Sequence, residues 1–432
     1  MTSANARRLL LAAALLGFVL RAAFGLIYWQ GRPLTHDERE YLALAANLAA
    51  GRGFAQDLPN EPHEGDGDGP LGVQRFGRAP FYPLFLAPIV AFNAPLRDGR
   101  MPDDVPDAVK VVQSLVGALA VLLIGAIGAR ISGERTGVIA AFIAAVYPPL
   151  VWISAYALSE ALFATLALAC VWWLMPVLDT GPEGENGRLL PVFGGGALLG
   201  LAVLTRPAML FFLPFVLLLG WRIRLAFAAA ILAGALVVIL PWTARNAVVY
   251  GRFVLVASEG GVTFWTGNHR EARGEGDLAA NPHLKLLNRE FRARHRGLTE
   301  EELEPIYYRE ALNFIAEAPV RWLGLVAKKV FYTWVPIGPS YRLHSPRYFW
   351  TSVIAYGALL PVAIAGFIGL WRSGRRPWTL WALAGSTVVV SLLFFPQERF
   401  RIPVIDPTLI ICAAAALTPV AHARPTVSRR PS

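Results

Sequence analysis

Charge, cysteine and lysine are what this chain of 432 residues has least of. Charged residues are only 16% of it, against about a quarter in a soluble domain, which excludes an ordinary soluble fold. The two cysteines, Cys170 and Cys412, both fall in apolar runs, so no disulfide framework or zinc motif can be built from them. There are four lysines (Lys110, Lys285, Lys328, Lys329), so the formal charge of +10 is carried almost entirely by arginine. In a soluble protein that charge would suggest nucleic acid. Here the arginines mostly flank apolar runs, where the positive-inside rule explains them, and no nucleic-acid partner is implied. The absence of a P-loop argues against an ATP-driven pump. The seven histidines form no HExxH pair, and no period of about 20–50 residues marks a repeat array. Nor does a clean small-x-small cleavage site end the first apolar stretch, so the first helix is expected to be retained.

What is present is hydrocarbon: 55% of residues are hydrophobic and the mean hydropathy is +0.47. Several runs approach the ~18 residues of a membrane-crossing helix. The expectation is an all-α, polytopic transmembrane bundle of about ten spans. These are Leu9–Trp29, Ala108–Ala129, Thr136–Ile153, Ser159–Leu178, Leu189–Leu204, Ala208–Gly220, Leu225–Trp242, Tyr348–Trp371, Trp378–Phe395 and Ile402–Pro419. With both termini cytoplasmic, every inside segment carries arginine: Arg7/Arg8, Arg130/Arg135, Arg188, Arg222/Arg224, Arg372/Arg375/Arg376 and Arg424/Arg429/Arg430. Residues 1–242 then form an N-terminal membrane module with a large outer loop at 30–107. A second outer loop occupies 243–347, and 348–432 hold the last spans and a short tail.

Both outer loops carry helix signals. Thr35 with Glu38 is a capping box, followed by an apolar stripe of Tyr41, Leu44, Ala45 and Leu48. Ala79–Leu86 is apolar but short and punctuated by proline, so it should dip into the interface. In the second loop, Asn281-Pro282, Thr299 with Glu302, and Pro319 each open an amphipathic stretch suited to a membrane surface.

Candidate functional residues lie at the outer ends of spans, each with a plainer reading beside it. Asp37 and Glu38 follow the first span and suit a general base at the lipid boundary, with or without a divalent cation; both also suit a positive helix end. Arg21, inside that span, pairs with such acids or snorkels outward. Glu160 enters the fourth span, either in use or favourably placed at a helix N-terminus. Arg206, in Thr205-Arg206-Pro207, is placed for a lipid phosphate or as an interface anchor. Arg399 and Arg401 could clamp a phosphate or bind ordinary head groups. Asp66-Gly67-Asp68 reads as solvated loop, and Gly196 to Gly200 as a close helix contact.

Taken in order, several stretches resemble the GT-C membrane glycosyltransferases, nearest the bacterial family 39 and 83 group of protein mannosyltransferases, aminoarabinose transferases and rhizobial lipid A galacturonosyltransferases. They are Asp37-Glu38 with Tyr41, Arg78 to Leu84, Tyr156 to Glu160, Leu204 to Pro207, Pro241 to Asn246, Phe264 to Asn268 and Glu398 to Pro403. The resemblance implies a polyprenyl-phosphate sugar donor and inversion at the anomeric carbon. Asp37 would be the base with Glu38 beside it, and the acceptor a hydroxyl of a lipid, glycan or protein. Glu160, Arg206, Arg399, Arg401, Tyr82 and Asn268 would bind substrate. The setting implied is the bacterial inner membrane; no organic cofactor follows, and a divalent cation stays open. The rival expectation is a transporter or flippase of an anionic or isoprenoid lipid. Convergence of Asp37, Glu160, Arg206 and Arg399 on one site would favour the enzyme.

Overall fold

The computed structural model describes residues 3–60, 78–179, 188–275, 278–337 and 345–418; the Asp66-Gly67-Asp68 stretch and Arg424, Arg429 and Arg430 lie outside them. Among the described residues every regular element is helical. α1 (Ser3–Ala23) continues through a π-helical turn, Phe24–Tyr28, and is followed by α2 (His36–Ala49), α3 (Phe81–Val90), α4 (Ala94–Arg97) and α5 (Asp107–Ser132). Then come α6 (Glu134–Val146), α7 (Pro148–Trp152), α8 (Glu160–Leu178) and α9 (Leu189–Thr205). A 3-10 turn, Pro207–Phe212, leads into α10 (Leu213–Ile223) and α11 (Leu225–Tyr250). The second connecting segment holds α12 (Gly260–Gly267), α13 (Pro282–Arg294), α14 (Glu300–Glu317) and α15 (Pro319–Trp334). The chain closes with α16 (Pro346–Arg372), α17 (Trp378–Leu393), α18 (Glu398–Arg401) and α19 (Ile405–Ala416).

This is a polytopic membrane bundle. Among the described residues five helices are long and apolar enough to cross a bilayer: residues 3–28, α5, α8, α11 and α16. The shorter apolar helices at Leu189–Thr205, Pro207–Ile223, Trp378–Leu393 and Ile405–Ala416 coincide with four more expected spans. The expected span Thr136–Ile153 is instead broken. Pro148 and Pro149 lack the amide hydrogen a helix needs and hold Tyr147 extended, so α6 ends at Val146. The carbonyls left bare there find a donor in Arg21. That side chain is buried, donating to Ala144 O at 3.2 Å and Ala145 O at 3.4 Å. Among the described residues Arg21 therefore pairs with no acid, and it is buried rather than snorkelling; it caps the end of another helix. Across the expected boundary at 242, α11 runs on to Tyr250 and stops at Gly251, whose φ of +64° suits a left-handed cap.

The main apolar core joins α5, α6, α8, α9, α11 and α19. Gly196 and Gly234 let α9 and α11 approach so closely that a Cβ at either would meet the other helix's backbone, as expected of a small-residue contact. A second core packs α2 and α3 against α5 and α8 through Tyr41, Leu42, Tyr82, Leu86, Val109 and Leu162. At ten residues α3 is too short to span. The second connecting segment has its own small core of Trp265, Leu284, Phe291, Leu303 and Tyr307. Its helix starts follow the local signals: Asn281 Oδ1 accepts the Leu284 amide at 3.1 Å, and the Glu302 carboxylate accepts the Thr299 amide at 3.0 Å.

Candidate active site

The first-segment site begins with the cap of α2. Thr35 and Glu38 form the expected capping box, with Glu38 Oε2 accepting both the Thr35 amide and hydroxyl at 2.8 Å. Glu38 Oε1 accepts the Ala157 amide at 3.0 Å, tying α2 to the turn before α8. Burial pushes the Glu38 carboxyl up, against these hydrogen bonds. Its neighbour faces elsewhere. Asp37 Oδ1 accepts from Arg78 Nη2 at 2.6 Å and Oδ2 from Arg399 Nη1 at 2.5 Å. Burial works to raise the Asp37 carboxyl, but the Arg399 and Arg78 guanidiniums outweigh it and hold it well below the usual carboxylate range.

Arg78 is the hub of the cluster. Its Nε donates to Glu40 Oε2 at 2.7 Å, its Nη1 lies 3.5 Å from Glu259, and its plane covers the Tyr41 ring at 5.2 Å. On the other side, Arg206 Nη1 sits 2.7 Å from Glu160 Oε1, and Arg399 Nε approaches the same oxygen at 3.9 Å. Arg206 is held extended before Pro207, with its guanidinium over Phe163 and Phe400. Glu160 Oε2 is buried and has no hydrogen-bond partner among the described residues, which asks for an explanation. Asp37, Glu160, Arg206 and Arg399 thus form one connected charge cluster at a single end of the bundle, although they come from four widely separated stretches.

The other candidates lie apart from that cluster's charges. Arg401 Nε donates to Asp406 Oδ1 at 2.9 Å, and Tyr147 OH donates to Asp406 Oδ2 at 3.0 Å. Tyr82 is fully buried, donates to Gln113 Oε1 at 3.0 Å and packs edge-on against Tyr41. Asn268 is buried where α12 meets α15 and the end of α17. Among the described residues no group of three or more His, Cys, Asp or Glu side chains is set to hold a metal.

The fold can be placed among solved structures. AglB, the oligosaccharyltransferase of Archaeoglobus fulgidus, superposes in its complex with an inhibitory peptide and a dolichol-phosphate with a TM-score of 0.55. That match has 16% identity and covers 95% of this chain and 50% of the other. The same enzyme tethered to an acceptor peptide gives 0.56 at 17% identity, covering 96% and 49%. The chain shares the fold of that oligosaccharyltransferase.

This chain spans about half the length of those oligosaccharyltransferase chains. ArnT from Cupriavidus metallidurans bound to undecaprenyl phosphate also matches, with 14% identity over 96% of this chain and 77% of that one, at a TM-score of 0.40. Within the sequence, residues 102–244 match the family model described as dolichyl-phosphate-mannose-protein mannosyltransferase. No curated protein matches. Three members of the charge cluster were not candidates from the sequence: Arg78, Glu40 and Glu259. Arg78 opens a stretch noted for its resemblance, and Glu40 stands one turn after Asp37. Glu259 carries no local signal, because only the folding of the second segment onto the first brings it near Arg78.

Proposed function

We propose that the protein is a glycosyltransferase that moves a sugar from a polyprenyl-phosphate donor to a hydroxyl of a lipid, glycan or protein acceptor. It would act on the extracytoplasmic side of a bacterial inner membrane, with inversion and with both termini cytoplasmic. The observation that carries this reading is the convergence of Asp37, Glu160, Arg206 and Arg399 at one end of a GT-C bundle. A phosphate-binding transferase needs two kinds of group within reach of one another, a carboxylate base and fixed cations, and this cluster holds both.

In the proposed reaction the acceptor oxygen attacks the anomeric carbon and its proton passes to Asp37. The bond from that carbon to the phosphate oxygen breaks, and the electron pair leaves with the lipid phosphate. The leaving group is a weak base, so it needs charge stabilisation, which Arg399 and Arg206 supply as preorganised cations. We assign this role to the guanidiniums ahead of the divalent cation that the sequence leaves open. Arg399 is shared between Asp37 and the donor. As its guanidinium turns to the phosphate, Asp37 loses one of the two partners that depress its basicity and becomes a better base. The unpartnered Glu160 Oε2 is assigned to a substrate hydroxyl. Glu38 keeps its cap and its bond to Ala157, and orients Asp37 and the turn before Glu160.

The test is transfer from radiolabelled polyprenyl-phosphate sugars in membranes. Wild type should consume a donor, and Asp37→Asn, folded, should not. Equal turnover by both would move the base elsewhere. No consumption by either, with acceptors present, would put the transporter reading ahead.

A further inference from the structure

α15 is two-faced in an unusual sense. Val320, Leu323, Val330 and Phe331 are exposed along one side, while Leu325, Lys329 and Thr333 are buried on the other. Apolar side chains facing outward suit lipid, but nothing in that role calls for a buried lysine. Lys329 is fully buried, and its described partners are all oxygens of neutral groups. Burial pushes the amine down to about 7. For packing alone a methionine would serve better, since an amine removed from water must be repaid by its hydrogen bonds.

Those hydrogen bonds converge on one short stretch. Lys329 Nζ donates to Leu392 O at 3.1 Å and to Asn268 Oδ1 at 3.0 Å. Asn268 Nδ2 donates to Leu393 O at 2.6 Å and to Phe264 O at 2.9 Å, and Trp322 Nε1 donates to Asn268 Oδ1 at 3.0 Å. Both donors and both acceptor positions of the Asn268 amide are filled. Gly267 lies so close to Phe394 O that no Cβ would fit there. Two successive carbonyls, of Leu392 and Leu393, are thus held where α17 ends, the point at which a helix leaves its last carbonyls without partners, and Gly267 packs against the next. Five residues after Phe394 comes Arg399. On either side of it, Ser352 Oγ donates to Glu398 Oε1 at 2.6 Å and Arg401 is held by Asp406.

We infer that Lys329 and Asn268 are positioning residues for Arg399: from the second connecting segment they clasp the end of α17 and so set where the following turn delivers its guanidinium. The inference rests on the proposed role of Arg399 toward the lipid phosphate. It explains how helices that do not carry the base act on the site, and why a lysine faces inward on an otherwise lipid-facing helix.

The test is binding of a sugar-free polyprenyl phosphate to the full chain in lipid nanodiscs, for wild type, Lys329→Met, Arg399→Ala and the double variant, with amide exchange followed over 394–401. Lys329→Met should weaken binding about tenfold, the scale of a lost hydrogen bond to a charged group. It should also speed exchange in that stretch alone, and Lys329→Gln, which keeps a donor, should recover most of both. In the Arg399→Ala background Lys329→Met should weaken binding no further, because a positioning residue acts only through the group it positions. Equal weakening in both backgrounds, or unchanged exchange at 394–401, overturns the clasp. If Arg399→Ala binds as wild type does, the phosphate role of Arg399 fails, and exchange still decides whether the clasp holds the turn. Should Lys329→Met not fold, Trp322→Phe goes through the same cycle with a smaller expected shift in the same direction.

Discussion

Arg399 and Arg401 stand two positions apart on one short helix and live in different surroundings. Arg399 keeps 38% of its side chain exposed and reaches Asp37, 362 positions away in sequence. Arg401 keeps 4% and reaches Asp406, five positions away, within a buried group that includes Tyr147 and Glu398. An exposed guanidinium in an ion pair can exchange its carboxylate for a ligand at modest cost. A buried one cannot, because its partner would be left charged without solvent. On the proposed function, Arg399 serves the chemistry and Arg401 anchors the fold.

The comparison can be broken most sharply at Asp37. Asp37→Asn should lower transfer by ~10²–10⁴-fold, the range of a positioned base, with the thermal unfolding midpoint little changed; a large fall in that midpoint would make Asp37 structural. On the anchoring side, Arg401→Met should cost about 3–5 kcal/mol of stability by leaving Asp406 uncompensated, read by thermal unfolding in detergent. Arg399→Gln should do the reverse, reducing turnover by about 10²–10³-fold, as for lost transition-state donors, with stability nearly unchanged. If Arg399→Gln unfolds the protein and Arg401→Met spares it, the assignment of the two arginines is inverted.

Smaller effects sharpen the contrast between Asp37 and Glu38. Glu38→Gln keeps a capping side chain but sets an NH2 donor against either the Thr35 or the Ala157 amide, and should cost about 1–3 kcal/mol of stability, with activity reduced far less than in Asp37→Asn. The smallest effect belongs to His36, which lies 3.4 Å from Glu40 with 83% of its side chain exposed. The hydrogen bond to Glu40 raises its pKa, against partial burial. A raised folded value means that the stability it adds is fully present below the ordinary histidine pKa and is lost as pH rises through the folded one. At that exposure His36→Gln should change stability by less than about 0.5 kcal/mol at any pH; a larger pH-dependent change would show a coupling to Arg78 beyond simple screening.

Much of the fold was legible in the chain. Runs of apolar residues located the membrane helices, and the caps at Thr35, Asn281 and Thr299 located helix starts, because both signals are local. Misreadings came where a local signal was overruled or cut short. Pro148 and Pro149 broke an expected span, and Arg21 went to the carbonyls that this break left bare. Of the candidate site, the acids and arginines at helix ends could be found by their cost in a membrane setting. Their division into groups could not.

Composition and pattern by themselves determined that this is an all-helical membrane chain with charge gathered at helix ends, since hydrocarbon length and helix capping are set by neighbours in sequence. Only the tertiary structure decided that Asp37 and not Glu38 meets the guanidiniums, that Arg78 and Glu259 join the site, and that Asn268 is wholly taken up by protein partners. Those outcomes depend on which groups folding brings within a few ångströms of one another, and an ion pair between residues 37 and 399 leaves no trace in either residue's local sequence.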